Sequence, residues 1–314
     1  MLYLAPCLCL FLLFSSCYRI ADDLQPKVKC ASSKWYLEQL EPALPPLSSH
    51  ERQKTWGQEY IMGQQFAKEL DFYRAITTFK RAAYLMPQNE HQRLLEVQYQ
   101  TVLCYYLGER YQDTILAYNQ SRLYTVNTSF PTYHDLLVIL YESYLKTDNQ
   151  VRAAHILRTL KLHYPETASK LDLSTAMIQG DLAATMHTLS DDALPTFTGI
   201  VTHYEWGKKS VKKAQTLNMV LPGSGYLYVG QKQSALTAFL VNGLFLATAL
   251  HFFTQGHVTA GIITMSFEAG WYFGGIYGAG ESAKLYNERL YETLVYPKLN
   301  HEKLFPVLML KYGF

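Results

Sequence analysis

Residues 234–253, SALTAFLVNGLFLATALHFF, and residues 258–280, VTAGIITMSFEAGWYFGGIYGAG, decide the fold. Between Gln233 and Gly280 the only formal charge is Glu268. Each run is close to the roughly 20 apolar residues that cross a bilayer core as helix, and only Thr254, Gln255, Gly256 and His257 join them. So short a link predicts a tight helical hairpin embedded in a membrane. The soluble alternative is a helix pair buried in a large core.

Within the second run, Gly270, Gly274 and Gly278 recur every fourth residue and share one strip of a helix. Such a strip lets helices approach closely in lipid and offers a route to a homo-oligomer. Glu268 should then face the bundle or a neighbour, with Asn242 and His251 as candidate partners, because an ionised carboxylate at mid-bilayer costs about 2.5–3.5 kcal/mol even on insertion scales. An intramembrane acid also raises a second function, a small transporter or channel component with Glu268 in its core.

Ahead of the hairpin stands Leu221-Pro222-Gly223-Ser224-Gly225-Tyr226-Leu227-Tyr228-Val229-Gly230. Pro222 and Gly223 break a helix, Gly225 and Gly230 permit positive φ and close backbone approach, and Tyr226 and Tyr228 suit a membrane interface. The stretch resembles the Pro-Gly-x-Gly-Gln-x-Tyr-x-Gly signature of small bacterial membrane regions of unassigned function, in which two apolar helices follow. Tyr226 replaces the usual glutamine. The resemblance covers about Leu217 to Asn287. No Gly-Lys-Ser/Thr follows, so a phosphate-binding loop is not indicated.

Toward the amino terminus the chain repeats itself. A window from Trp56 places Met62, Gly63, Phe66, Ala75, Phe79, Ala82 and Pro87 at positions where small residues let two antiparallel helices touch, aromatics fill between them, and proline ends the second. It resembles the tetratricopeptide repeat; Glu59 departs from the pattern, where a large residue is usual. A window from Leu95 gives Val102, Tyr105, Thr114, Tyr118 and Ser121, and one from His134 gives Tyr141, Tyr144, Ala153, Leu157, Leu160 and Pro165. Both intervals exceed the usual period of about 34 residues. Thr167–Leu189, broken at Gly180-Asp181, reads as a short capping pair. The resemblance implies a groove lined by each repeat's first helix. Its candidate partner-binding residues are Tyr60, Gln64 and Lys68, then Tyr99, Leu103 and Tyr106, then Val138, Glu142 and Lys146, and the aromatics among them are the expected hot spots.

At the start, Met1–Phe14 is almost wholly apolar and Ser15-Ser16-Cys17 follows, as in a secretory signal with a small-residue cleavage site. Phe14-Ser15-Ser16-Cys17 resembles a bacterial lipobox, which implies lipidation of Cys17. The charge pattern points the other way. Lys208–Lys213 and Lys232 precede the hairpin, and Lys284 and Arg289 follow it, which places both ends in the cytoplasm. Either the signal is unused, or the charge rule fails here, or Leu217–Val229 also crosses; export of the repeats is the favoured expectation.

The 314 residues have room for two domains. A net charge of +2 gives no basic surface for nucleic acid, whereas 25 tyrosines suit peptide grooves and membrane interfaces. Five cysteines and ten histidines show no metal-ligand spacing, no His-Glu-x-x-His and no nucleophile motif. No catalytic residue, cofactor or metal is called for. The last stretch, Leu304–Phe314, alternates Leu310, Tyr312 and Phe314 like the closing strand of an outer-membrane barrel, but with helices throughout the preceding chain it reads as a packed tail.

The expected organisation is an all-α chain: a signal-like segment over 1–16, a linker over 17–50, tetratricopeptide-like repeats over 51–190, a hinge over 191–221, a membrane-associated hairpin region over 222–296, and a tail over 297–314. The expected function is a non-enzymatic, membrane-attached scaffold of the bacterial cell envelope. It would bind a protein or peptide partner and membrane lipid, in the assembly or secretion of other envelope proteins.

Overall fold

The computed structural model describes residues 24–30, 36–188 and 194–314. The proposed signal and Cys17 lie outside them. Among the described residues the fold is all helical, and the only extended pairing is one isolated parallel bridge between Pro42 and Gly313. The chain divides into two compact units.

Among the described residues the first unit holds 28–30, 36–178, 183–188 and 296–314. Its helices are α1 (Ser49–Gln53), α2 (Thr55–Lys68), α3 (Phe72–Leu85), α4 (His91–Leu107), α5 (Tyr111–Asn119), α6 (Tyr133–Lys146), α7 (Gln150–His163), α8 (Pro165–Gln179) and α9 (Leu182–Thr188). From α2 to α7 each helix packs on the next, and α4 also meets α6. A single turn geometry recurs in the three pairs. Leu70, Glu109 and Asp148 occupy the same place in successive windows, and each has left-handed φ, 60°, 56° and 57°. Each following amide closes the same wide turn, Asp71 N–H on Phe66 O, Arg110 N–H on Tyr105 O and Asn149 N–H on Tyr144 O. Asp71 and Asn149 then cap the second helix through the amides of Arg74 and Arg152. A left-handed non-glycine residue costs of order 1 kcal/mol, so its recurrence reflects a turn fixed by the packing of each pair.

Between paired helices the small-residue logic holds. A Cβ on Gly63 would sit 2.7 Å from the Phe79 ring, and Ala75 and Ala82 are fully buried. Glu59, the odd residue of the first window, reaches Arg81 of the partner helix at 2.7 Å.

The stretch expected to be a linker joins the core, and the tail, read as packed, lies on it. Leu44 and Leu47 are buried in the same core as the repeats, as are Leu310 and Phe314. The boundary at residue 50 fails because Arg93 of α4 draws the preceding chain in. Its guanidinium donates to the carbonyls of Pro45 (2.8 Å) and Pro46 (3.1 Å), to Glu51 Oε1 (2.8 Å) and to Glu96 Oε2 (2.7 Å).

The second unit comprises residues 24–27, 179–182 and 194–295 among those described. It contains α10 (Leu194–Gly207), α11 (Val211–Val220), α12 (Ser224–Val229), α13 (Lys232–Thr254) and most of α14 (Val258–His301). Phe197 and Tyr204 of α10 are buried, Tyr204 edge-on to Tyr291 of α14 at 5.6 Å. Among the described residues α13 is the one helix long and apolar enough to cross a membrane, and 11% of its window is buried. The second apolar run is the first half of α14, a helix of 44 residues. It continues past Gly280 because no glycine or proline interrupts residues 281–296, and it runs on through Pro297 to His301.

Candidate functional site

Two places carry the residues singled out by sequence, and each lies within one unit. On the repeat array, Tyr60, Tyr99, Leu103, Tyr106 and Val138 are buried, Gln64 and Glu142 are half-buried, and Lys68 and Lys146 are exposed. The expected open groove is therefore closed at five of its nine positions. Tyr60 packs on Phe79 at 5.9 Å and takes a hydrogen bond from Gln64 Nε2 at 3.3 Å. Tyr106 donates to Glu142 and stands edge-on to Tyr111. Burial, then the Glu142 carboxylate, holds the Tyr106 phenol well above its ordinary value, and burial also raises Glu142.

The array's own side chains close these positions, Phe79 on Tyr60, Phe130 on Tyr99 and Tyr111 on Tyr106, and the end of the chain lies on the array as well. Lys311 N–H donates to both carboxylate oxygens of Asp135 (3.1 and 3.0 Å), and Tyr312 N–H donates to Oδ2 (3.0 Å). Asp135 is completely buried in the first turn of α6, where an acid is favoured by the helix dipole. His134 Nδ1 lies 2.7 Å from Asp135, and the ring's Nε2 meets Thr167 Oγ1 at 2.9 Å. Gly313 N–H donates to Glu41 O at 3.0 Å, and Tyr36 OH donates to Leu310 O at 2.8 Å. A Cβ on Gly313 would stand 3.1 Å from Leu40 Cβ and from Leu40 O, so only glycine fits without displacement. Leu310 is 1% exposed, and the Phe314 ring lies 6.2 Å from that of Phe72. Residues 310–314 thus lie on the array in extended form, after a short 3-10 turn at Pro306–Met309. Sequence reasoning missed Asp135 because an acid in the first turn of a helix ordinarily faces water.

The second place is the glycine turn. Gly223 has φ 94°, its N–H is held by Asn218 Oδ1 at 2.8 Å, and a Cβ there would overlap the carbonyl of Ala235. A Cβ on Gly225 would overlap the Ala214 carbonyl and stand 2.8 Å from Ala279 Cβ. Gly230, with φ 90°, ends α12 in the left-handed conformation. Pro222 is half-buried just before this turn. The Tyr228 hydroxyl accepts Ser210 N–H at 3.2 Å, while Lys209 and Lys213 place their ammonium groups 5.1 Å from its ring. Asn287 of α14 clasps Lys209 in both directions, accepting its N–H (2.6 Å) and donating to its carbonyl (3.0 Å).

The glycine strip divides. A Cβ on Gly278 would collide with the Tyr226 hydroxyl and one on Gly275 would stand 3.1 Å from Asn218 Nδ2, but Gly270 and Gly274 have open space where a side chain would be. Close packing inside this chain thus uses Gly275, Gly278 and Ala279, which face α11 and α12. Glu268 and Asn242 are both buried, and Oε2 of the first and Oδ1 of the second accept no hydrogen bond from the protein. His251 is exposed at the end of α13. Among the described residues no group of His, Cys, Asp and Glu is placed to hold a metal ion. No protein-family model, curated protein or solved structure matches the chain.

Proposed function

We propose that this protein is a membrane-attached scaffold of the bacterial cell envelope. Its tetratricopeptide-like array would hold an extended polypeptide, and its hairpin, with a lipid on Cys17, would keep that partner at the membrane for assembly or secretion. One observation carries the reading. Leu240, Leu244 and Leu250 of α13 and Ile262, Trp271 and Phe273 of α14 are all more than half exposed, a larger apolar surface than soluble monomers present to water. Lys209 and Lys213 gather on Tyr228 beside the start of that surface, as cations and aromatics do at a lipid headgroup layer.

The test is flotation of the purified full chain with anionic vesicles. The wild type is expected to rise with the lipid and to resist alkaline extraction, and Leu244→Arg to reduce that fraction. A full chain that stays monodisperse in water without detergent would refute membrane attachment. For the scaffold role, a photo-crosslinking residue at Lys68 or Lys146, the two exposed array positions, is expected to capture polypeptide in cells, and one at exposed Tyr84 of α3 is not.

A transporter or channel component is the second reading, favoured by the unpartnered oxygen of Glu268. Glu268→Gln separates the two: a scaffold keeps partner capture, a transporter loses flux.

A further inference from the structure

The segment 304–314 meets the array in a way that differs from ordinary core packing. Four of its polar contacts run through main chain: the N–H groups of Lys311, Tyr312 and Gly313, and the carbonyl of Leu310. Main-chain contacts accept many sequences, whereas side-chain seats select among them. Here there are three seats. Leu310 is engulfed, a side chain at Gly313 would press on Leu40, and Phe314 packs by Phe72, while Lys311 between them is exposed. Asp135 adds a constraint on the empty state. It has no exposed surface while the segment is in place and accepts two of its N–H groups, so a departing segment must be replaced there by water or by another donor. The seat is thus matched to the main chain of an extended segment.

Resting on the scaffold reading above, we infer that this seat is the array's binding site for an extended segment of another polypeptide with the pattern Leu-x-x-Gly-Phe, and that residues 310–314 occupy it in cis as a competitor. Asp135 and Glu41 read the partner's amides, Tyr36 reads a carbonyl, and the Leu310, Gly313 and Phe314 seats set its sequence. A tethered occupant has an effective concentration of the order of millimolar, so a partner must either bind tightly or arrive at high local concentration at the membrane surface.

The experiment uses the full chain in lipid nanodiscs and a fluorescent, amidated peptide of residues 305–314, with binding followed by anisotropy. Phe314→Ala weakens the internal competitor while preserving the length of the chain. It is expected to bind the peptide at least about tenfold more tightly than wild type, and a peptide with its own last Phe changed to Ala should lose at least that factor. A chain ending at Met309 should bind as well as Phe314→Ala or better. Equal affinity of wild type and a folded Phe314→Ala for the peptide would overturn the inference, whether or not the shortened chain folds. So would a shortened chain that captures full-length copies but no free peptide, which would make a second copy the occupant. Crosslinking at Lys68 and Lys146 distinguishes the two claims: capture there with no peptide binding ends this inference and leaves the scaffold standing, while peptide binding with no capture does the reverse.

Discussion

Gly225→Ala should destabilise the protein, whereas Gly274→Ala should not, although both replace a helical glycine near the same end of the hairpin. The added Cβ at 225 would overlap a backbone carbonyl of Ala214 and crowd the Cβ atoms of Ala279 and Asn218, both 2.8 Å away. None of these is the free end of a flexible side chain, so α12 must retreat from both α11 and α14. Overpacking of this kind costs about 1–3 kcal/mol, offset by about 0.5–1 kcal/mol gained when alanine replaces a helical glycine. At Gly274 only the gain applies, because nothing lies within contact distance. At about 2–4 °C per kcal/mol for a domain of this size, Gly225→Ala should lower Tm by several degrees and Gly274→Ala should raise it slightly. Thermal unfolding in detergent micelles, followed by circular dichroism, measures both. Equal shifts, or a larger loss at 274, would refute the assignment of Gly275, Gly278 and Ala279 as the packed face of α14.

Three further outcomes follow from the array. Arg93→Ala should cost about 3–5 kcal/mol in urea unfolding, since it strands the Glu96 carboxylate, 1% exposed, and frees the carbonyls of Pro45 and Pro46. The hydrogen bond from Arg93, with further help from Ser48, holds Glu51 at about 2 in the folded protein against an ordinary 4.5. A depressed folded pKa gives stability that is present above about 4.5 and lost as pH falls toward 2; Tm should decline through that window and the decline should shrink in Arg93→Ala. Asp135→Ala removes the acceptor of two main-chain N–H groups, so trypsin should cut after Lys311 faster than in wild type, read by mass spectrometry of the released peptide.

The packed helix pairs were legible because their chemistry is local. Gly63, Phe79, Ala75 and Ala82 sit at fixed spacings for a contact made between neighbouring helices, and such contacts leave a periodic trace. The left-handed turns at Leu70, Glu109 and Asp148 were not legible, for none is glycine or asparagine and the strain is imposed by packing. Residues 36–47 were read as a linker, and 304–314 as a packed tail with no seat assigned, because their partners lie far away in sequence, as Asp135 does from Lys311. The hairpin's apolar character was plain from composition. Its division was not: Gly270, Gly274 and Gly278 look equivalent at a spacing of four, and only the position of Tyr226 and Asn218 makes one end of the strip packed and the other open.

Two charges of opposite sign, a half-buried Arg93 and a fully buried Asp135, do complementary work on the array. Arg93, a cation, holds the carbonyls of Pro45 and Pro46, and Asp135, an anion, holds the amides of Lys311 and Tyr312. Each therefore binds an extended segment by the half of the peptide group that suits its sign, without regard to the side chains above. Prolines offer carbonyls but no amides, which is why the cation meets them and the anion does not. Keeping a charge buried is costly unless its hydrogen-bonding capacity is met, and in both cases much of that capacity is met by backbone from a flanking segment. An array stabilised only by its own helices would need neither. Main chain fixed by these charges, with Leu310 and Phe314 buried beside it, ties both flanking segments of the chain to the array.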